Sequence, residues 1–483
     1  MTLSYIPSDT NDEGILKATA SGVLPNGKPV VVNADGTVSV VAVTSISQNI
    51  GSDVAFSTSG DDAFVRVAVD PSASKVVIIY RNAVNSDYGE AVVGEISGES
   101  ISFGTPVVFF SGTAGYQNVV FEAGSGKFVV TYNSGGAKAV VGTVSGTSIS
   151  FGSTVTITSD LGGNANQTTS ASLNKIVAIS VNDATGGFAH VGTISGTSIS
   201  FGTAVKFAND VERFDGSQIT YDSDTDQVVI CYRDNDNSNL GTAIVGSVSG
   251  TSISFGSATV FSSSDYREGN VVYDSSSKRI VVLYAVTSST LNRAIVGTVS
   301  GTSISFGAEV SGLTTTNSVY SSLVFDSNVN KVVFFRLAVG VLSADYGTVS
   351  GDTISFAGPV TIKTGGNSSG NGIVAAVFDS GTSRIAVGYL RSGDNGTSFV
   401  LRTPGDVANL TASNYIGIST GGTYADGSNA TVKIIGNTSD EQSGLTAGQA
   451  YYVQTDGTIG TTPADPSVFA GTAISATKML VKT

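Results

Sequence analysis

Tryptophan is absent from this 483-residue chain, cysteine and histidine occur once each, and only 13% of residues are charged. A single thiol, Cys231, excludes an intramolecular disulfide framework. Its setting, "VVICYR", reads as a buried strand, so an inert core thiol is expected. A single histidine, His190, excludes a site of several histidine ligands and makes a histidine-based triad a weak reading. It stands where other repeats carry Ile or Val, so it too reads as a strand residue beside the core. Basic residues are also scarce, 24 Lys and Arg against 38 Asp and Glu, for a net charge of −14. Such a surface repels phosphates and anionic headgroups, so neither nucleic acid binding nor membrane insertion is expected. No window holds the ~18 consecutive apolar residues of a membrane span. The opening "MTLSYIPSDTNDEGILK" lacks the basic end and apolar run of a signal peptide, so synthesis as a soluble protein in a cytosol is expected.

Glycine is abundant, at 59 residues, alongside 22 Phe and 17 Tyr. With the many Ser, Thr and Val residues, this suits short strands joined by tight turns. Hydrophobic residues make up 40% of the chain, enough for a core, which excludes global disorder.

One stretch recurs: "GTSISFGTAV" at 196 has close copies at 98, 146, 250, 301 and 351, with its phenylalanine at 103, 151, 201, 255, 306 and 356. A period near 50 marks a repeat architecture. Within Gly216 to Phe261, "SQITYD", "QVVICYR", "TAIVGSVS" and "ISFGSATVF" alternate apolar and polar residues between turn residues, which predicts four strands, one propeller blade. The first hairpin turn appears as "DPSASK", "EAGSGK", "SASLNK", "DSDTDQ", "DSSSKR", "DSNVNK" and "DSGTSR", seven times in all. The "SISFG" strand appears only six times, and "TSISQNIGSDVAFST" at 44–58 reads as the missing one. The expectation is an all-β chain: a seven-bladed β-propeller over 44–405, closed by an N-terminal strand. Closure leaves no unpaired edge between first and last blades.

The seventh repeat's third-to-fourth turn is then the point where both flanks, residues 1–43 and 406–483, leave together, on the face that carries the recurring first hairpins and "SGTS" turns. "NGKPVVVNADGTV" at 26–38 mirrors "AGQAYYVQTDGTI" at 447–459, each a strand, an Asp-Gly turn and a strand. A small β domain built from both termini is expected.

The opposite face carries the variable loops. Asp87, Tyr88, Tyr116, Glu212, Arg213, Phe214, Asp234, Tyr266 and Arg267 are the candidate partner-binding residues there, because aromatics beside hydrogen-bonding groups suit sugar or protein recognition. Asp61, Asp62, Asp210, Asp215, Asp236 and Glu268 read, with the acids just named, as solvated loop charges. "DSDTD" at 222–226 has the alternating carboxylates of a calcium loop, but sister turns read "DSSSK" and "DSNVN", so these Asp residues are assigned to the turn. No catalytic, metal or cofactor residue is assigned.

The flank "LTASNYIGISTGGTYADGSNATVKIIG", followed by "SGLTAGQAYYVQTDGTIGTTPADPSVFAGTAISATKMLVK", resembles the terminal module of virion proteins from marine tailed, cyanophage-like phages. The "SGTSISFG" repeats are similar to those of their tail-fibre-like and other structural proteins, so the resemblance covers most of the chain. It implies a particle component with other virion structural proteins as partners, a host glycan or receptor as target, and homo-oligomerisation. A non-enzymatic tail fibre or tail appendage is preferred to a head-decorating protein. A polysaccharide-active propeller hydrolase is the reading from another class, and it requires converging acids that the sequence does not display.

Overall fold

The computed structural model describes residues 14–57, 62–159, 164–170, 175–182, 185–212, 217–286, 289–313, 321–366, 374–391, 395–464 and 466–482, with the backbone alone at 164–170, 268 and 289–291. Two compact units emerge, Ser47–Thr403, and Met1–Ile46 with Pro404–Thr483. No α-helix occurs among the described residues.

In the larger unit each sequence repeat folds as an antiparallel sheet whose strands lie in chain order. In the first repeat these are Asp62–Asp70, Lys75–Asn82, Tyr88–Ser97 and Ser100–Phe103. The carboxylate opening each first hairpin explains why that turn recurs. Asp274 Oδ1 accepts the Ser276 and Ser277 N–H groups at 3.0 Å, and Asp70, Glu122, Asp222, Asp326 and Asp379 cap their own turns in the same way. The residue four positions on is left-handed, for instance Ser74, Asp226 and Asn330. Opposite Asp222, Asp226 accepts the Tyr221 hydroxyl and Asp224 pairs with Lys278, so the "DSDTD" carboxylates serve the turn and its neighbours. The "SGTS" hairpins have two-residue loops with Gly first, at φ near +60° (Gly146, +60°; Gly196, +62°), the turn that matches strand twist.

Two details differ from the sequence pattern. The strand read as "ISFGSATVF" is broken: Ser148–Phe151 and Val155–Thr158 pair separately with Ala137–Ser145. A β-carbon on the intervening Gly152 would lie 1.9 Å from the Thr197 carbonyl oxygen of the next repeat, so the chain jogs where only glycine fits. Between repeats four and five, where "SSSDYREGN" reads as a loop, one strand runs unbroken from Thr259 to Asp274.

In the seventh repeat, Val374–Asp379, Arg384–Leu390 and Gly396–Arg402 form the sheet, and Asn49–Ile50 and Val54–Ala55 run antiparallel along the last of them, with Ile50 opposite Leu401 and Ala55 opposite Thr397. Apolar clusters lie between successive repeats; one joins Val229, Cys231 and Val245 to Tyr266, Ile280 and Tyr284.

The smaller unit is a duplication. Ile15–Thr19, Asn429–Lys433, Tyr415–Thr420, Pro29–Val32 and Val38–Val40 make one sheet in that order; Thr438–Ser439, Met479–Val481, Val468–Ala473, Ala450–Val453 and Ile459–Gly460 make another with the same chain-order topology. The mirrored Asp-Gly turns superpose in chemistry as well: Asp35 Oδ1 accepts Thr37 N–H at 3.0 Å and Asp456 Oδ1 accepts Thr458 N–H at 2.9 Å. The larger unit is inserted into the first copy, between Val38–Val40 and Tyr415–Thr420. Val43–Ile46 pairs with Gly405–Ala408 at the base of that insertion, so these residues join the smaller unit rather than the repeats. Val31, Ile418, Tyr451, Val453 and Met479 share one core across the two copies.

Candidate recognition surface

The ends of the repeat strands opposite the carboxylate-capped hairpins gather most of the sequence-selected residues into two groups. In the first group, the strand starts of repeats one and two are bulged, with register breaks between Ala63 and Arg66 and between Gly115 and Asn118. The bulges hold Phe64 at φ 55° and Tyr116 at φ 45°, and the two rings meet with centroids 5.7 Å apart. Bulky side chains seldom adopt this conformation, and strain of this kind concentrates at ligand-binding positions. Arg81 lies with its guanidinium carbon 4.8 Å from the Phe64 centroid and its Nε 3.4 Å from Asp87. Asp87 is itself left-handed, in the loop that leads into Tyr88. Asp87, Tyr88 and Tyr116 were expected here from the sequence; Phe64 and Arg81 were not. Both were legible as repeat positions, since Phe64 and Tyr116 each stand six residues before the turn carboxylate, and "YR" recurs at 80 and 232.

The second group centres on Arg233, buried at the end of Gln227–Asp234. Its Nη1 donates to Glu212 at 2.7 Å and its Nε to Asp265 at 2.8 Å, while Arg267 stands 3.6 Å from the other Asp265 oxygen. Asp210 accepts the Asn235 amide at 3.0 Å. Burial, followed by the charges of Asp236 and Asp210, raises the Asp234 carboxyl above its ordinary range. Glu212, Asp234 and Arg267 are thus brought together, around an arginine and an aspartate that the sequence analysis did not select. Arg213, Phe214, Asp215 and Asp61 lie outside the described residues, as does the Glu268 side chain.

Two assignments are corrected. Tyr266 is fully buried, 5.4 Å from both the Phe261 and Tyr284 rings, because it sits in the unbroken strand rather than a loop. It is a core residue, not a contact residue. Asp62 is buried too, and its carboxylate accepts the Gly396 N–H at 3.0 Å instead of meeting solvent.

Cys231 is buried among apolar neighbours, which pushes its thiol well above the ordinary value. His190 is buried with Nε2 2.9 Å from Ser180 Oγ, and burial lowers its pKa from 6.5 to about 4. A base that weak is poorly matched to proton transfer at neutral pH. Among the described residues, no three His, Cys, Asp or Glu side chains converge as a metal site. What the surface offers is exposed aromatic area beside fixed charges.

No family model matches the chain, and no curated protein matches it. Among solved structures, the lectin BP39L of Burkholderia pseudomallei is similar over 74% of this chain and 99% of its own, with a TM-score of 0.54 at 12% identity. The periplasmic gluconolactonase PpgL of Pseudomonas aeruginosa is similar over 72% of this chain and 96% of its own, with a TM-score of 0.49 at 10% identity. At these identities the likeness is one of fold. The repeated antiparallel sheets and the similarity to BP39L together give a propeller-like, all-β architecture.

Proposed function

We propose that the chain is a non-enzymatic recognition protein of a virion surface, a tail fibre or tail appendage, in which the repeats close into a seven-bladed propeller and the smaller unit anchors it to the particle. The observation that carries recognition is the Phe64–Tyr116 pair, two bulky residues held in a left-handed backbone, in ring contact and flanked by Arg81 and Asp87. Aromatic faces beside fixed hydrogen-bonding groups suit a host-surface glycan, and one solved structure of similar fold is a lectin. Closure is supported by packing between the last repeat and the first. Ala386, Leu390 and Val400 share a cluster with Phe56, Val65 and Ile78. Arg384 pairs with Glu99 at 2.8 Å, as Arg279 pairs with Asp352 of the repeat that follows it at 3.1 Å. Placement on a virion rests on the resemblance of the repeats and flanks to marine phage structural proteins.

The test has two arms. Antibody raised to the pure chain should decorate the tails of particles that carry it, and the pure chain should compete with those particles for adsorption to host cells. Decoration of the capsid shell would move the protein to the head. Absence from the particle, or no competition, would remove the host-recognition role.

A further inference from the structure

Five of the seven repeats place a buried tyrosine at one position of the second strand: Tyr80, Tyr132, Tyr232, Tyr284 and Tyr389. The sixth has Arg336, beside Asp345, and the third has Ser180. In three repeats the phenol bonds a residue in the jog that breaks the last strand, Thr154, Glu309 or Asp53. The third repeat has Ala204 at that position of the jog, as the fourth has Ala258. Both sides of the contact are therefore cut back in one repeat, and a pocket of about 230 Å³ opens between Ser180 and Ala204.

Two further changes fall on the same pocket. His190 stands where four other repeats have Val92, Val140, Ile244 or Ile295 and the last two have Asp345 and Phe399, and Phe188 stands where they have Glu90, Lys138, Thr242, Arg293, Ser343 or Thr397. The aromatic ring is moved from the second strand to the third, and the space it leaves is lined by hydrogen-bonding groups. Drift would scatter such departures along a 50-residue repeat. Here three of them, Ser180, Phe188 and His190, meet at one cavity, beside an Ala204 that has its counterpart in Ala258 of the fourth repeat.

We propose that this pocket binds a single uncharged, hydroxyl-rich ring of monosaccharide size. The lining mixes polar and apolar groups and has no charged side chain of its own: Thr158, Thr185, Asn182 and the Ser180–His190 pair beside Val181, Ala204 and the Phe188 ring, with Lys206 Nζ 5.9 Å from the Phe188 centroid. Hydroxyls and an imidazole present donors and acceptors together, as sugar hydroxyls do, while Asn182 Oδ1 already accepts the Thr185 N–H at 3.2 Å. Phe188 supplies the apolar face on which a ring can lie. The volume is below the ~300–1,000 Å³ of pockets for drug-sized ligands, which suits a single ring. The site uses none of the Phe64 or Arg233 groups and stands independently of the virion reading.

The experiment is ligand-observed NMR on the full chain, with glucose, galactose, mannose, fucose and N-acetylglucosamine as separate probes, followed by titration of any sugar that binds. Saturation transfer to at least one sugar is expected. Ser180→Tyr should refill the pocket and lower the affinity at least tenfold, and Ala204→Thr, a milder change in case the first variant misfolds, should weaken the same sugar. Absence of transfer from all five, or binding unchanged in both folded variants, would overturn the proposal.

Discussion

Gly51 lies so close to Glu99 that a β-carbon added to it would stand 2.1 Å from the Glu99 carbonyl oxygen. The same relation, at 1.9 Å, holds between Gly104 and Thr147, Gly152 and Thr197, and Gly202 and Thr251, each a glycine meeting the hairpin of the following repeat. If the strand before the first repeat stands in for the fourth strand of the last, Gly51→Ala must cost what Gly152→Ala costs. Both should lose about 1–3 kcal/mol by overpacking. Urea unfolding of the two variants checks this; a neutral Gly51→Ala beside a costly Gly152→Ala would speak against closure.

The buried turn carboxylates predict a second cost. Asp274 is buried and accepts two backbone N–H groups. Asp274→Ala leaves those donors without their partner and should destabilise by about 1–3 kcal/mol. Asp352→Ala, at an exposed hairpin position, should cost under about 1 kcal/mol. Thermal melts of the pair check the difference.

His190 gives a pH dependence with a definite sign. Its folded pKa, about 4, is below its ordinary 6.5, and burial is the cause. Between these values the unfolded chain binds the extra proton, so stability is full above about pH 6.5 and falls as the pH drops toward about 4, by roughly 3 kcal/mol. Comparing melts of the wild type and His190→Val from pH 7 to 4.5 checks this. The variant should lose less stability over that range; parallel curves would contradict the buried, neutral imidazole.

Arg233 is buried between two partly exposed carboxylates, so Arg233→Ala should destabilise by about 1.5–3 kcal/mol through its lost charged hydrogen bonds. Arg81, more exposed and with one carboxylate among the described residues, at 3.4 Å, should cost under about 1 kcal/mol when changed to Ala. Denaturant midpoints of the two variants distinguish a structural arginine from one available to a ligand.

Much of this architecture was legible because a repeat shows what is constant. The turn carboxylates, the "SGTS" glycines and the alternating strands follow from local chemistry and stand where the pattern put them. Tyr266 was misread because "SSSDYREGN" is polar in sequence, yet the strand continues through it and turns that ring into the core. Phe64 and Arg233 stand at recurring strand positions, but the sequence pattern does not reveal that a bulge pins one and an ion pair the other. The five-strand duplication of the smaller unit was visible only at its Asp-Gly turns, since the later strands of the two copies have diverged and those of the first copy lie beyond the inserted repeats.

The account rests most directly on the Phe64–Tyr116 group as a contact surface. The measurement is binding of the full chain to immobilised surface polysaccharide from host cells, for the wild type and for a Phe64→Ala, Tyr116→Ala double variant whose melting is checked in parallel. The wild type should bind without shortening the polysaccharide, and the folded double variant should bind at least tenfold more weakly. Equal binding by the folded variant, or cleavage of the polysaccharide by the wild type, would contradict it.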